Sequence, residues 1–249
     1  MKRLIVLIVA AAVMAACGGS STPVAAKPSP PGPVTKYRNV LAGQTATAPM
    51  DLIQSILEFA PGAATTVHKH PGHFLATVMQ GQVTLKTPSG DIVASAGQVL
   101  SEPVNQPVQA MNSGSGMAMV AAAYPVVHGG KPTTPVAGQP APATPNRTLY
   151  TFTLDSPAVS GGYSLVQQVL DFAPGAQTLE HRHGGPGVIT VLQGQVTLSA
   201  DGIEKTYNVG DSFSETPSQT LQAFNRGSGE LIIVATYILP DGAQLTTNL

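Results

Sequence analysis

The chain has 249 residues, 12 basic and 13 acidic side chains, and a formal net charge of −1. Charged residues make up 10% and hydrophobic residues 43% of it, with 26 Gly and 22 Pro. Nucleic-acid binding is excluded, because it needs a basic surface; the length is enough for two small domains that each enclose a core.

The N-terminus reads as an export signal. Lys2 and Arg3 precede an apolar run from Leu4 to Val13, followed by Met14-Ala15-Ala16-Cys17. The apolar run is too short for a comfortable transmembrane helix. The cut site resembles a bacterial lipoprotein lipobox, which implies cleavage before Cys17 and diacylation of its sulfur. Cys17 is the only cysteine, so it has no internal disulfide partner, and lipidation explains its presence in an exported chain. Removal of residues 1–16 leaves 10 basic and 13 acidic residues, a charge of −3. The expected location is therefore the bacterial cell envelope, with Cys17 anchoring the chain to a membrane. Gly18 is not the aspartate associated with inner-membrane retention, which favours the outer membrane.

Residues after Cys17 are rich in Ser, Ala and Pro (KPSPPGP at Lys27–Pro33) and read as an extended tether. A second such stretch, GGKPTTPVAGQPAPATPN, begins at Gly129 and reads as a linker that can wrap over one domain. Between and after these stretches the sequence repeats itself. Tyr37–Val126 and Tyr150–Leu239 match without a gap at 34 of 90 positions. LEFAPGA at Leu57 returns as LDFAPGA at Leu170, and QGQVTL at Gln80 returns unchanged at Gln193. This is a duplicated domain rather than a short-period solenoid. The expected organisation is a signal peptide at 1–16, a tether at 17–36, a first domain at 37–128, a linker at 129–147 and a second domain at 148–249.

Strand signals dominate each repeat. Leu52–Phe59 and Leu165–Phe172 alternate apolar and polar residues before an Ala-Pro-Gly-Ala turn. Ala76–Leu85 and Ile189–Leu198 read as strand, Gln-Gly turn, strand, and Ala118–Val126 and Leu231–Leu239 as closing strands. No amphipathic helix of ten or more residues is expected, so the fold class is all-β.

Five of the six histidines lie in the matched segments HKHPGH (His68, His70, His73) and HRH (His181, His183). An H-x-H on a strand puts both imidazoles on one face, which is half of a first-row metal site. His128 reads as a solvated loop residue, and no Ser-His-Asp or Cys-His catalytic arrangement is expected. The 12 aromatics and absence of Trp argue against sugar binding by ring stacking.

With its glycines, the pattern resembles the cupin superfamily, as a two-domain bicupin of quercetinase-like type. Gly62, His68, His70 and Gly81 fit the first cupin motif, as do Gly175, His181, His183 and Gly194. Gly97–Asn112 and Gly210–Asn225 align with the second motif. The resemblance implies two tandem jelly-roll barrels with each H-x-H facing the lumen. It breaks at the metal ligands. The family's glutamate falls on Phe74 and Gly187, and its third histidine on Val108 and Leu221. Both sites are thus degenerate, and the lumens more apolar. His73 could complete a three-histidine site with His68 and His70, whereas the second copy has Pro186 at that place. Glu180 points to the opposite face by strand parity. Glu102 and Glu215 are equivalent across the repeats and could line the cavity if the strand register shifts.

The expected cofactor is one divalent ion (iron, manganese, nickel, zinc or copper) in the first domain, or none. Three functions follow: a lipid-anchored bicupin binding a small molecule or protein partner; a metal-dependent enzyme, dioxygenase- or isomerase-like, using the first domain; or a structural envelope scaffold.

Overall fold

The structure, a computed structural model, describes residues 29–46, 49–100 and 102–249. The export signal, Cys17 and most of the tether lie outside the described residues. Among the described residues there is no helix, and two pairs of antiparallel sheets carry the fold.

One five-stranded sheet runs in the order Val34–Ala46, Gly161–Phe172, Leu231–Pro240, Gly187–Gln193, Ser212–Glu215. Its counterpart runs Arg147–Leu154, Met50–Phe59, Ala118–Val127, Leu75–Gln80, Val99–Leu100. Each opens with a strand from the other repeat: Val34–Ala46 pairs with Gly161–Phe172, and Arg147–Leu154 with Met50–Phe59. Neither barrel is complete without a strand exchanged from the other.

Smaller sheets close the barrels. Gly90–Ser95, Gln82–Thr87 and Gln109–Met111 face the first barrel's core, and Ile203–Asn208, Gln195–Ala200, Leu221–Phe224 and His181–His183 face the second's. The Gln-Gly turns that join these layers need glycine. Gly81 and Gly194 have φ of +70° and +73°, and a Cβ there would stand 2.6 and 2.5 Å from a backbone oxygen.

The long central strands are buried on both faces, which a simple two-period pattern does not capture. In Met50–Phe59, Phe59 packs into the first barrel with partly buried Ile53 and Leu57, whereas Leu52 and Ile56 pack toward the second barrel. Leu165, Val188, Ile238, Val169 and Val234 meet them from the other side. The two large sheets therefore sit back to back. A buried polar network pins that contact. Gln54 donates to Thr190 at 2.8 Å and accepts from Thr236 at 2.6 Å, and Gln167 donates to Thr236 at 3.0 Å. Because these groups are dry, each bond left unmade would cost a full desolvation penalty, so the network fixes one docking of the barrels.

The linker has a defined course. Thr134–Pro135 pairs with His68–Lys69, and Ala64 exchanges backbone bonds with Thr144 and Asn146. It therefore straps the open end of the first barrel. The second barrel's open end is covered by the two ends of the described chain. Gln177 N–H donates to Pro31, and Thr246–Asn248 pairs with His181–His183.

Candidate metal centre and ligand cavity

The two H-x-H segments fall on short strands next to the positions of the missing third histidines. His68 and Val108 exchange backbone bonds of 2.9 and 2.8 Å, and His181 pairs with Leu221. Val108 and Leu221 are each 1% exposed and seal the strand against the core rather than offering a donor. All four imidazoles are buried and face inward.

Their tautomers follow from backbone partners. Nδ1 of His68 and His70 lies 2.8 and 2.7 Å from the carbonyls of Thr66 and Pro132. Nδ1 of His181 and His183 lies 2.8 and 2.9 Å from Leu179 and Leu245. A carbonyl can only accept, so each Nδ1 carries the proton, and in the neutral ring each Nε2 presents a lone pair. Pro132 and Leu245 are equivalent residues of the two covering segments, so those segments orient the rings as well as shield them.

In the first barrel the Nε2 atoms stand 3.0 Å apart, and Glu102 Oε2 lies 3.1 Å from His70 Nε2 and 3.8 Å from His68 Nε2. The Glu102 side chain is 5% exposed, and its Oε2 is buried without a hydrogen-bond partner. With neutral rings and an ionised carboxylate, three electron-rich atoms thus converge on one point. That is unfavourable for bare side chains and favourable around a cation. Donors held about 2.0–2.2 Å from one ion stand roughly 3–3.6 Å apart. Two of the three separations meet that spacing and the third, His68 to Glu102 at 3.8 Å, is slightly wider, so the set approximates the donor shell of a divalent first-row metal. Among the described residues it is the one His/Cys/Asp/Glu group with this convergence. Burial pulls the His68 pKa below 6.5, against the pull of its Thr66 bond and of Glu102, which keeps the ring available as a ligand.

His73 lies outside this arrangement. It is exposed in the loop after Pro71-Gly72, because the next residue, Phe74, takes the inward place: its ring stands 4.3 Å from that of His70. The third donor beside His68 and His70 is Glu102. It approaches from the other motif, a strand-end position that parity counting along the H-x-H strand does not reach.

The second barrel has the same donors in a different state. His181 and His183 Nε2 are 3.2 Å apart, and Glu215 Oε2 is 3.3 Å from His183 Nε2. Here, however, Tyr237 OH donates to Glu215 Oε2 at 2.9 Å and lies 3.1 Å from His183 Nε2. Burial, then the adjacent carboxylate, drives the Tyr237 pKa up, so the phenol keeps its proton. The equivalent Tyr124 instead stacks on Phe74, centroids 4.9 Å apart and planes 24° apart. The cause is one position. Where the first repeat has Phe74, the second has Gly187, and a Cβ there would fall 2.3 Å from the Tyr237 ring. Tyr237 occupies the space that Phe74 fills, and so reaches the carboxylate. Glu180, beside His181, is exposed as parity requires.

The same position coincides with a difference in free volume. The second barrel contains a continuous cavity of about 380 Å³, from Pro30 and Leu179 at the mouth to His183, Glu215 and Tyr237 at the floor. In the first barrel that column is divided. An outer hollow of about 500 Å³ under the linker touches His68 and Tyr124, while the inner void around His70, Phe74 and Glu102 is about 30 Å³.

A third cluster was not expected from sequence. Asp51, His128 and Ser156 meet, with Asp51 Oδ1 and Ser156 Oγ at 2.8 and 3.0 Å from His128 Nδ1. Both oxygens share one nitrogen, so the ring cannot take the serine proton while held by the aspartate, and no nucleophile is activated. It is a clasp at the root of the linker, reinforced by Gly129 and Ser156 N–H groups on Asp51. Burial would raise the Asp51 carboxyl, but the bond from His128 and the two N–H bonds outweigh it and lower its pKa from 3.8 to about 2. The hydrogen bond to Asp51 raises the His128 pKa above 6.5. The histidine's contribution is complete below 6.5 and is lost as pH rises through its raised value; the aspartate's is present above 3.8 and is lost as pH falls toward 2. A His128→Gln variant should therefore lose more melting temperature at about pH 5 than at about pH 8. An equal loss at both would contradict the clasp.

Asn112 and Asn225 are structural. They donate to Phe59 and Phe172 carbonyls at 2.9 and 2.8 Å, and close the following turns through Gly114 and Gly227.

Comparison with known proteins agrees with the geometry. The chain superposes on a vicilin from Solanum melongena (TM-score 0.62, 12% identity, 80% of this chain and 76% of that one). It superposes on the oxalate decarboxylase of Bacillus subtilis (TM-score 0.58, 13%, 87% and 79%) and on AerE from Microcystis aeruginosa (TM-score 0.51, 15%, 84% and 98%). Mn(II) centers are described for the Bacillus subtilis decarboxylase. A search of curated protein sequences finds no match. The family model described as "Cupin domain" matches residues 168–237. The sequence match thus lies within the second repeat, and the chain as a whole has the all-β cupin fold, as two tandem barrels.

Proposed function

We propose that this chain is a lipid-anchored, envelope-facing bicupin that binds rather than transforms its ligands, with a different task in each barrel. The first holds one divalent metal ion on His68, His70 and Glu102; the second receives a small organic molecule. The observation that carries this reading is the division of free volume. Beside the metal donors the void is about 30 Å³, room for a single water and not for a substrate. Over the second floor it is about 380 Å³, within the range of small-ligand pockets. A bound ion would supply Lewis acidity and compensate the Glu102 charge. Phe74 and Tyr124 wall that centre with aromatic rings, and the Pro132 carbonyl fixes the His70 ring. Anchoring through Cys17, with the outer membrane favoured, is supported by the lipobox-like start of the sequence.

Elemental analysis of the purified full chain tests the assignment. Close to one metal per chain is expected; two per chain, or none after loading with zinc or manganese, would refute the division. A second reading, a metal-dependent enzyme acting from the first barrel, draws on the outer hollow that reaches His68. It requires turnover of a small carboxylate such as oxalate that stops when the metal is stripped.

A further inference from the structure

We infer that the second barrel's cavity selects a cation, a primary ammonium group carried on a short apolar body. The inference rests on the reading of that barrel as a ligand site and adds the ligand's chemistry.

The floor presents only acceptors to the cavity. His181 and His183 direct lone pairs from Nε2, since their Nδ1 protons go to Leu179 and Leu245. Glu215 directs a carboxylate that is 6% exposed. The one hydroxyl nearby, Tyr237 OH, uses its single proton on Glu215, leaving the remaining carboxylate lone pairs and both imidazoles unserved. An ammonium has three donors and no acceptor, so it matches this floor bond for bond. A carboxylate has only acceptors and would meet like lone pairs and like charge.

Charge along the walls points the same way. Among the described residues, Glu215 is the one acidic side chain lining the cavity, and no Lys or Arg lines it. Along these described walls an anionic ligand would find no counter-charge, whereas a cation would find one at the end of the column. The column itself is apolar, built from Phe172, Ile189, Phe213 and Ile233, with neutral Thr178 and Asn248 nearer the mouth. A ligand therefore needs an alkyl or aryl body behind its ammonium.

The first barrel does not share this preference. Its floor atoms converge more closely, and Phe74 removes the space an organic cation would need. The two barrels therefore answer the same excess of lone pairs in different ways, one with a metal ion and one with an organic cation.

Titration of the full chain with hexylamine, hexan-1-ol and hexanoate by calorimetry tests the inference, with the neutral dye N-phenyl-1-naphthylamine reporting on the apolar column. Hexylamine should bind, hexanol more weakly, and hexanoate not measurably. Glu215→Gln should weaken hexylamine by about tenfold or more and change hexanol little. Ala223→Leu, which fills the column above the floor, should weaken the dye and hexylamine together and so locate the site. Binding of hexanol or hexanoate as tight as hexylamine would overturn the ammonium while leaving the cavity reading intact. Dye binding without binding of any of the three probes would overturn it in the same way. Silence from all three probes and the dye would refute the cavity reading itself.

Discussion

Replacing Gly187 with phenylalanine should lower the stability of the chain by about 2–6 kcal/mol and abolish ligand binding in the second barrel. The new ring has to enter space now held by Tyr237, since even a Cβ at this position would stand 2.3 Å from that ring. The first barrel shows where the tyrosine would go. With Phe74 in place, Tyr124 stacks beside it at 4.9 Å and makes no bond to Glu102, whose Oε2 is left without a partner. Overpacking costs about 1–3 kcal/mol, and stripping Tyr237 from Glu215 leaves a buried carboxylate oxygen unsatisfied at about the same further cost. The cavity would then be divided like that of the first barrel. Metal content gives a second readout. An unpartnered Glu215 beside His181 and His183 would reproduce the first centre, so zinc-loaded G187F should carry close to two ions where the parent carries one. A variant with unchanged melting, unchanged dye binding and unchanged metal content would show that position 187 does not set the difference between the barrels.

The fold was legible because its signals were local and doubled. The Gln-Gly turns and the strands on either side recur at the same spacing, and Gly81 and Gly194 take the positive φ that the turns require. The strand exchange was not legible. Val34–Ala46 and Arg147–Leu154 each carry a strand pattern, but a strand pattern does not name the sheet it joins; the exchange shows only in the pairing and in long-range contacts such as Asn39 with Thr77 and Gly97. The H-x-H pairs were legible as inward-facing neighbours because a period of two is enough to place them. Glu102 and Glu215 could be seen as cavity-lining candidates through their equivalence, but not as partners of the imidazoles, because they arrive from a separate strand end. Tyr124 and Tyr237 carry a usable signal, being matched tyrosines in mostly aliphatic closing strands. The consequence of Phe74 against Gly187 needs three dimensions, since it acts through the ring across from it.

Glu102→Ala should release metal from the first barrel, with affinity for zinc or manganese falling by about a hundredfold or more. Two neutral imidazoles remain in that variant, and they supply neither a third donor nor the negative charge that offsets a divalent ion in a buried site. Glu102→Gln separates these two contributions. It keeps the volume and one oxygen but removes the charge, so it should fall between parent and alanine. The histidines predict a matching loss for His70→Ala, and the packing of Phe74 and Tyr124 against that ring makes the variant less stable as well, so the glutamate series is the cleaner measure. His73→Ala provides the contrast, because the ring is exposed and takes no place among the converging atoms. Metal content and affinity should match the parent in H73A. If instead H73A loses metal and E102A keeps it, the loop after Pro71-Gly72 must swing inward when the ion binds, and the centre would be the three-histidine site that the HKHPGH segment first implied.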